Sequence, residues 1–167
     1  MKTHLPDLRI RAADVADREA LDAVRAAAFA PVFASFRNLL GPELYALAQE
    51  KDDQAHGELL AGLMAPDSGW EVYAAECSGQ VVGFVSVRLD SGRAMGEIGL
   101  NAVAPDHTGR GIGTAMYEFA LARMREAGMR VATVGTGGDV SHEPARHAYR
   151  KAGFNAQVPS VWMCCRL

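Results

Sequence analysis

Residues 100–114, LNAVAPDHTGRGIGT, decide how the rest of the chain reads. An apolar, strand-like run ends at Val103, a short polar turn follows, and Gly109, Gly111 and Gly113 alternate into the start of an amphipathic helix. Glycines there leave peptide N–H groups bare at a helix start, where unpaired donors and the macrodipole both favour an anion such as phosphate. Glycine also marks ordinary turns. Its place between strand and helix is what makes this spacing a candidate phosphate cradle.

Downstream of the turn, helical spacing predicts a helix over 111–127, with Ile112, Met116, Phe119, Ala120 and Met124 as its buried stripe and Gly128 as its stop. Residues 130–134 read as a strand, parallel to the preceding one because a helix joins them. A glycine-rich loop, GTGGD at 135–139, follows, and Pro144 opens a short helix that stops at Gly153-Phe154. Residues 154–156 and 160–166 read as a last strand pair.

Upstream, 95–103 reads as a strand preceded by a hairpin, 71–77 and 80–89, joined by the two-residue loop Ser78-Gly79. Alternation puts Val81, Gly83, Val85, Val87 and Leu89 on one face of the second hairpin strand. These three strands form an antiparallel meander. Residues 8–12 read as a first strand, with Asp14 as an N-cap and Leu21, Val24, Ala28 and Phe29 at helical spacing behind it. Further leucines predict one or two more helices, broken at Gly41-Pro42 and near Gln54.

At 167 residues, with a charged fraction of 22%, the chain reads as a single globular α+β domain, 1–167, with room for a real core. A net charge of -3 and no basic run give no electrostatic reason to expect nucleic acid. No apolar run has secretory or membrane length, so a cytoplasmic protein with no membrane partner is expected. Cys77, Cys164 and Cys165 lack the paired spacing of zinc sites and read as reduced, packed thiols; no metal is expected. His4, His56, His107 and His147 read as surface residues.

Two familiar phosphate-binding patterns fit the glycine turn badly. A Walker loop needs a Lys before its Ser/Thr, and here Gly113 precedes Thr114. A dinucleotide turn wants Gly-x-Gly-x-x-Gly among alternating parallel strands, early in the domain. Three segments in order resemble instead the GCN5-related N-acetyltransferase (GNAT) family: WEVYAAECSGQVVGFVSV at 70–87, EIGLNAVAPDHTGRGIGTAM at 97–116 and ARHAYRKAGF at 145–154. The resemblance covers most of 70–167. It implies a mixed, mostly antiparallel sheet of six to seven strands flanked by helices, and acetyl-CoA as cosubstrate.

What the resemblance implies for single residues follows from the matched motifs. Thr108, Gly109, Arg110, Gly111, Ile112, Gly113 and Thr114 hold the pyrophosphate. Thr108 departs from the Gln or Arg of the family, and Arg110 still offers charge to the phosphates. Ala102 and Val103 line the cofactor, Val103 through its backbone N–H. Glu97 matches a fourth-strand base; it reads equally as a solvated carboxylate or a salt-bridge partner, on a strand face shared with Gly99 and Asn101. Tyr149 matches the acid that protonates the leaving thiolate, or is a core aromatic with a satisfied hydroxyl. His142 stands where the family carries an asparagine on the pantetheine arm. It reads as a cofactor contact, a base, or a cap of the Pro144 helix beside Ser141 and Asp139. GTGGD reads as a substrate-side wall or as backbone geometry only.

The implied reaction is direct acetyl transfer to a primary amine of a small molecule or peptide. Within residues 43–67, Glu43, Glu50, Asp52, Asp53, Glu58 and Asp67, against only Lys51, form either an acidic rim for a cationic amine or a solvated helix face. A CoA-binding module without turnover is the alternative, and a homodimer is compatible with the family.

Overall fold

The computed structural model describes residues 7–167; His4 lies outside them. Strand β1 (Leu8–Ala12) leads through a 3-10 turn, Val15–Asp17, into the long helix α1 (Arg18–Ala48) and then α2 (Glu50–Leu63). Asp14 caps that turn as its spacing predicts: its carboxylate accepts from the Ala16 N–H, and Asp17 returns the bond to the Asp14 N–H. Gly41, at φ 74° and ψ 163°, kinks α1 where the sequence predicts a break. The second break falls at Gln49, not near Gln54, which lies inside α2.

Strands β2 (Trp70–Cys77), β3 (Gln80–Asp90) and β4 (Met95–Val103) form the expected meander, and β1 adds antiparallel to β2. Helix α3 (Ile112–Glu126) carries the chain over to β5 (Val131–Val134), which is parallel to β4, and α4 (Glu143–Ala152) follows. The sheet has five strands in the order β1-β2-β3-β4-β5, not six to seven. Residues 154–156 and 160–166 form no ladder. Phe154 instead folds back on Tyr149, its N–H on the Tyr149 carbonyl at 3.1 Å, and Pro159 deprives the segment of a strand donor. No described helix is long and apolar enough to cross a membrane.

Helices cover both faces. Leu21, Val24, Leu60 and Leu63 of α1 and α2 pack on Val72, Ala74, Phe84 and Ala102. On the other face, Ile112, Met116, Ala120 and Met124 of α3, with Tyr149 of α4, pack on Ala75, Val82, Val85, Val87 and Ile98. Each fully buried Val, Leu, Ile, Phe or Met side chain among them contributes about 1.5–3 kcal/mol. Phe119, expected in the α3 stripe, is only half-buried and meets Tyr73 edge-on at 4.8 Å.

Two bulges change the face assignments that strict alternation implies. Glu76 pairs with Val81 and Ala75 with Gly83, so Val82 is an extra residue and Val81 packs on the α1–α2 side. Gly83, Val85, Val87 and Leu89 keep the α3 side. In β4, Val85 pairs with Asn101 and Val87 with Ile98, so Gly99 and Leu100 oppose Ser86 alone. Beyond this bulge the alternation inverts. Gly99 lies under Trp70, whereas Asn101 turns to the tyrosines of α3 and α4; Glu97 and Asn101 therefore do not share a face.

Candidate active site

Strand β5 pairs only with Met95, Gly96, Glu97 and Ile98, so the last five residues of β4 lose their neighbour and a gap opens. The Ala104 N–H donates to Val82 across β3. One residue back, the Val103 N–H and carbonyl therefore face the gap. The β4 bulge is braced on both of its carbonyls: Ser86 donates to Leu100 at 2.9 Å, and the Asn101 amide to Gly99 at 2.9 Å.

The glycine turn begins α3 at the end of this open half-strand. Gly111, at φ 87°, is the N-cap of α3, with no side chain capping the helix. Such a left-handed residue suits glycine and aims successive N–H groups outward. The peptide N–H groups of residues 109–114 make no hydrogen bond among the described residues. A Cβ on Gly113 would sit 3.8 Å from Val103, so the cradle adjoins the gap. Thr108 donates to the Pro105 carbonyl at 2.9 Å and Arg110 to the Asp106 carbonyl at 2.9 Å, which steadies the turn and leaves the guanidinium charge exposed. This arrangement fits a diphosphate: bare donors, a helix N-terminus and one cation.

One turn into α3, Tyr117 carries the line inward. It is 4% exposed, and its hydroxyl donates to Asn101 Oδ1 at 2.8 Å. Asn101 Nδ2 donates to the Tyr149 hydroxyl at 2.9 Å, and the two tyrosine rings lie 4.5 Å apart. Tyr149 thus accepts from Asn101 and keeps its own proton for a further acceptor. Burial pushes the Tyr149 phenol above its usual range, against the effect of the hydrogen bond from Asn101. Burial, then the neighbouring Tyr149, pushes Tyr117 well above it.

Glu97 is apart from this line. It forms an ion pair with Arg88, whose guanidinium lies 4.9 Å over the Trp70 ring, on the opposite sheet face from Tyr149. His142 is the N-cap of α4 but makes no capping bond; Asp139 instead caps the preceding 3-10 turn through the Ser141 N–H. The Asp139 carboxylate also accepts from His142 Nδ1 at 2.5 Å and from Ser35 at 2.7 Å. His56 is not a surface residue. Its ring packs 4.4 Å from Phe29, and burial, then the Arg25 charge, lowers its pKa. No three His, Cys, Asp or Glu side chains converge as a metal site among the described residues.

Sequence reasoning missed Tyr117 and Asn101. Tyr117 lies next to the Met116 position of the predicted stripe, and only the bulge brings Asn101 to it. The Ser35–Asp139 contact joins residues 104 apart and left no sequence signal.

The model of the acetyltransferase (GNAT) family matches residues 33–154, which hold α2, the sheet from β2 to β5, the glycine turn and α4. The chain belongs to the GNAT family. A mycothiol acetyltransferase of Propionibacterium freudenreichii subsp. shermanii is 33% identical over 90 residues, covering 53% of this chain and 28% of its own length. The chain thus spans only about a quarter of the curated relatives it matches. A GNAT family acetyltransferase from Brucella melitensis, solved in complex with acetyl-CoA, is 28% identical with a TM-score of 0.63, over 89% of this chain and 83% of that one. The PaiA N-acetyltransferase from Thermoplasma acidophilum, in complex with coenzyme A, shares the GNAT fold at 17% identity, with a TM-score of 0.70 and 92% of each chain covered.

Proposed function

We propose that this GNAT chain is an acetyl-CoA-dependent N-acetyltransferase acting on a primary amine of a small molecule or peptide. The observation that carries this reading is the run of unpartnered N–H groups at 109–114, opening onto the unpaired half of β4 beside the Tyr149 hydroxyl. Acetyl-CoA, when bound, supplies an acetyl group activated as a thioester.

The residues of the chain divide the remaining work. Backbone N–H groups of Gly109, Arg110, Gly111, Ile112, Gly113 and Thr114, with the Arg110 charge, hold the diphosphate; Thr108 steadies their turn. Val103 lines the arm, its N–H the donor for a carbonyl oxygen, whereas Ala102, expected beside it, is buried in the α1–α2 core with its backbone turned to β3. Tyr149, kept protonated by its burial, donates its proton to the leaving sulfur. The exposed carboxylates of Glu50, Asp52 and Glu58 on α2 favour a cationic acceptor, whereas Asp53 is engaged by Tyr45 and Gln49.

Thiol release from acetyl-CoA across a panel of primary amines tests the assignment, alongside calorimetric titration of the cofactor. Amine-dependent release is the expected result. Tight cofactor binding with no release from any amine or peptide would establish a CoA-binding module instead.

A further inference from the structure

Resting on the acetyl-transfer reading, we propose that His142 is the base that takes the proton from the acceptor's ammonium, its ring held in place by Asp139, Ser35 and the glycine loop. The loop GTGGD runs on from β5 just past Val134, where the pairing with β4 ends at Ile98. Its Asp139 reaches His142 Nδ1 at 2.5 Å, and is itself held by Ser35 of α1 at 2.7 Å, by the Ser141 N–H at 3.1 Å and by the Ser141 hydroxyl. Burial works to raise the Asp139 carboxyl. The hydrogen bonds from Ser141, Ser35 and His142 outweigh it and hold the group well below the usual carboxylate range.

A carboxylate only accepts, so the neutral ring carries its proton on Nδ1 and keeps its lone pair on Nε2. No described residue bonds to Nε2, and among the described residues no buried side-chain nitrogen or oxygen lacks a partner, so this atom reaches open space. Phe36 of α1 stacks on the ring at 6.1 Å. A Cβ on Gly137 would lie 2.4 Å from Nδ1 and 2.6 Å from Cε1, so only glycine leaves room for the imidazole. Arg146 ties the loop down, donating to the Gly137 and Asp139 carbonyls at 2.5 and 2.7 Å. Residues from α1, the loop and α4 thus converge on one ring and leave one nitrogen free.

Tyr149 stands seven residues after His142, about 10 Å along the axis of α4; it packs on α3 whereas His142 meets α1, which separates proton acceptor from proton donor. Glu97 is engaged by Arg88 on the other sheet face. The step is a proton transfer alone: an ammonium N–H bond breaks, the Nε2–H bond forms, and the positive charge passes to a ring facing the Asp139 carboxylate. The charged groups around His142 are Asp139 on its own loop, and Glu143 and Arg146 on α4, which pair with each other; α1 contributes the neutral Ser35 and Phe36.

The test compares pH profiles of kcat/KM for wild type, His142→Gln, Asp139→Asn and Glu97→Gln with an active amine, together with acetyl-CoA affinity and the ¹⁵N spectrum of the His142 ring. His142→Gln is expected to lower kcat/KM by about 10²–10⁴-fold and remove the acidic limb, with cofactor affinity unchanged. Glu97→Gln should keep the limb. The wild-type neutral ring should show its proton on Nδ1, a preference lost in Asp139→Asn. The proposal is overturned by a limb that survives His142→Gln, by one that disappears in Glu97→Gln, or by a ring proton on Nε2. Absence of thiol release from wild type with every amine would overturn the acetyl-transfer reading as well, an outcome distinct from a loss confined to the His142 variant.

Discussion

Asn101 donates its side-chain amide to the Tyr149 hydroxyl at 2.9 Å while its carbonyl accepts from Tyr117 at 2.8 Å, joining β4, α3 and α4 through one residue. The second amide proton goes to the Gly99 carbonyl inside the bulge. The bulge that turns Asn101 toward the tyrosines is therefore also stabilised by it. Because the amide fills one acceptor position of the Tyr149 oxygen, the phenol is oriented as a donor.

Tyr149→Phe keeps the ring and its packing on Phe154, 5.9 Å away, and removes only the proton. Turnover is expected to fall by about 10²–10⁴-fold, with little change in cofactor affinity. Asn101→Leu should lower turnover in the same direction and also cost about 1–3 kcal/mol of stability, since buried polar groups lose their partners. Steady-state kinetics, calorimetry and denaturant unfolding separate the two effects. Unchanged turnover in Tyr149→Phe would remove it as the acid.

Gly113→Ala probes the cradle without disturbing the fold, because a Cβ there would make only ordinary contacts at 3.8 to 4.0 Å with Val103 and Tyr117. Coenzyme A affinity is expected to drop at least tenfold, about 1.4 kcal/mol, with the melting temperature of the free protein retained. Gly111→Val should lose both, since its φ of 87° strains any β-branched residue. Calorimetry with coenzyme A and thermal unfolding without it are the measurements.

Gly99→Ala should destabilise the chain although alanine is the smaller change on paper. Its Cβ would lie 2.4 Å from the Trp70 ring and 2.8 Å from the Ser86 hydroxyl, which braces the bulge. A loss of about 1–3 kcal/mol in denaturant unfolding is expected, the usual cost of overpacking. A neutral result would mean that Trp70 swings clear.

Asp17 reports on acid stability. The Arg11 hydrogen bonds lower its carboxyl, against burial, with help from the Asp14 N–H. A group whose folded pKa is depressed stabilises the protein above its unfolded pKa and loses that contribution as pH falls through the folded one. Asp17→Asn is thus expected to cost about 1–2 kcal/mol near pH 7, as for a lost helix cap, and the difference from wild type should shrink below about pH 4. Urea unfolding of both proteins from pH 7 to 3 measures this.

Much of the fold was legible locally. Ser78-Gly79 marks the hairpin, Asp14 the cap, Gly41 the kink and Gly111 the helix start, because each depends on backbone geometry or on donors a few residues away. The glycine turn before α3 and the place of Tyr149 on α4 were legible for the same reason. The missing last strand pair was not: an apolar run carries strand propensity, but whether it pairs depends on an edge elsewhere.

The amino-acid order alone determined β1 to β5, the order of the helices between them and the glycine turn between β4 and α3, since turns, caps and periodicities are short-range chemistry. Only the tertiary structure decided which side chains meet. One extra residue at Gly99–Leu100 inverts the period-two alternation, sending Asn101 to Tyr149 and leaving Glu97 to Arg88. The Asp139–Ser35 bond spans 104 residues and forms because α1 and the loop after β5 are packed together. A ladder offset and a long-range contact each depend on a partner strand or helix, and no window along the chain contains that partner.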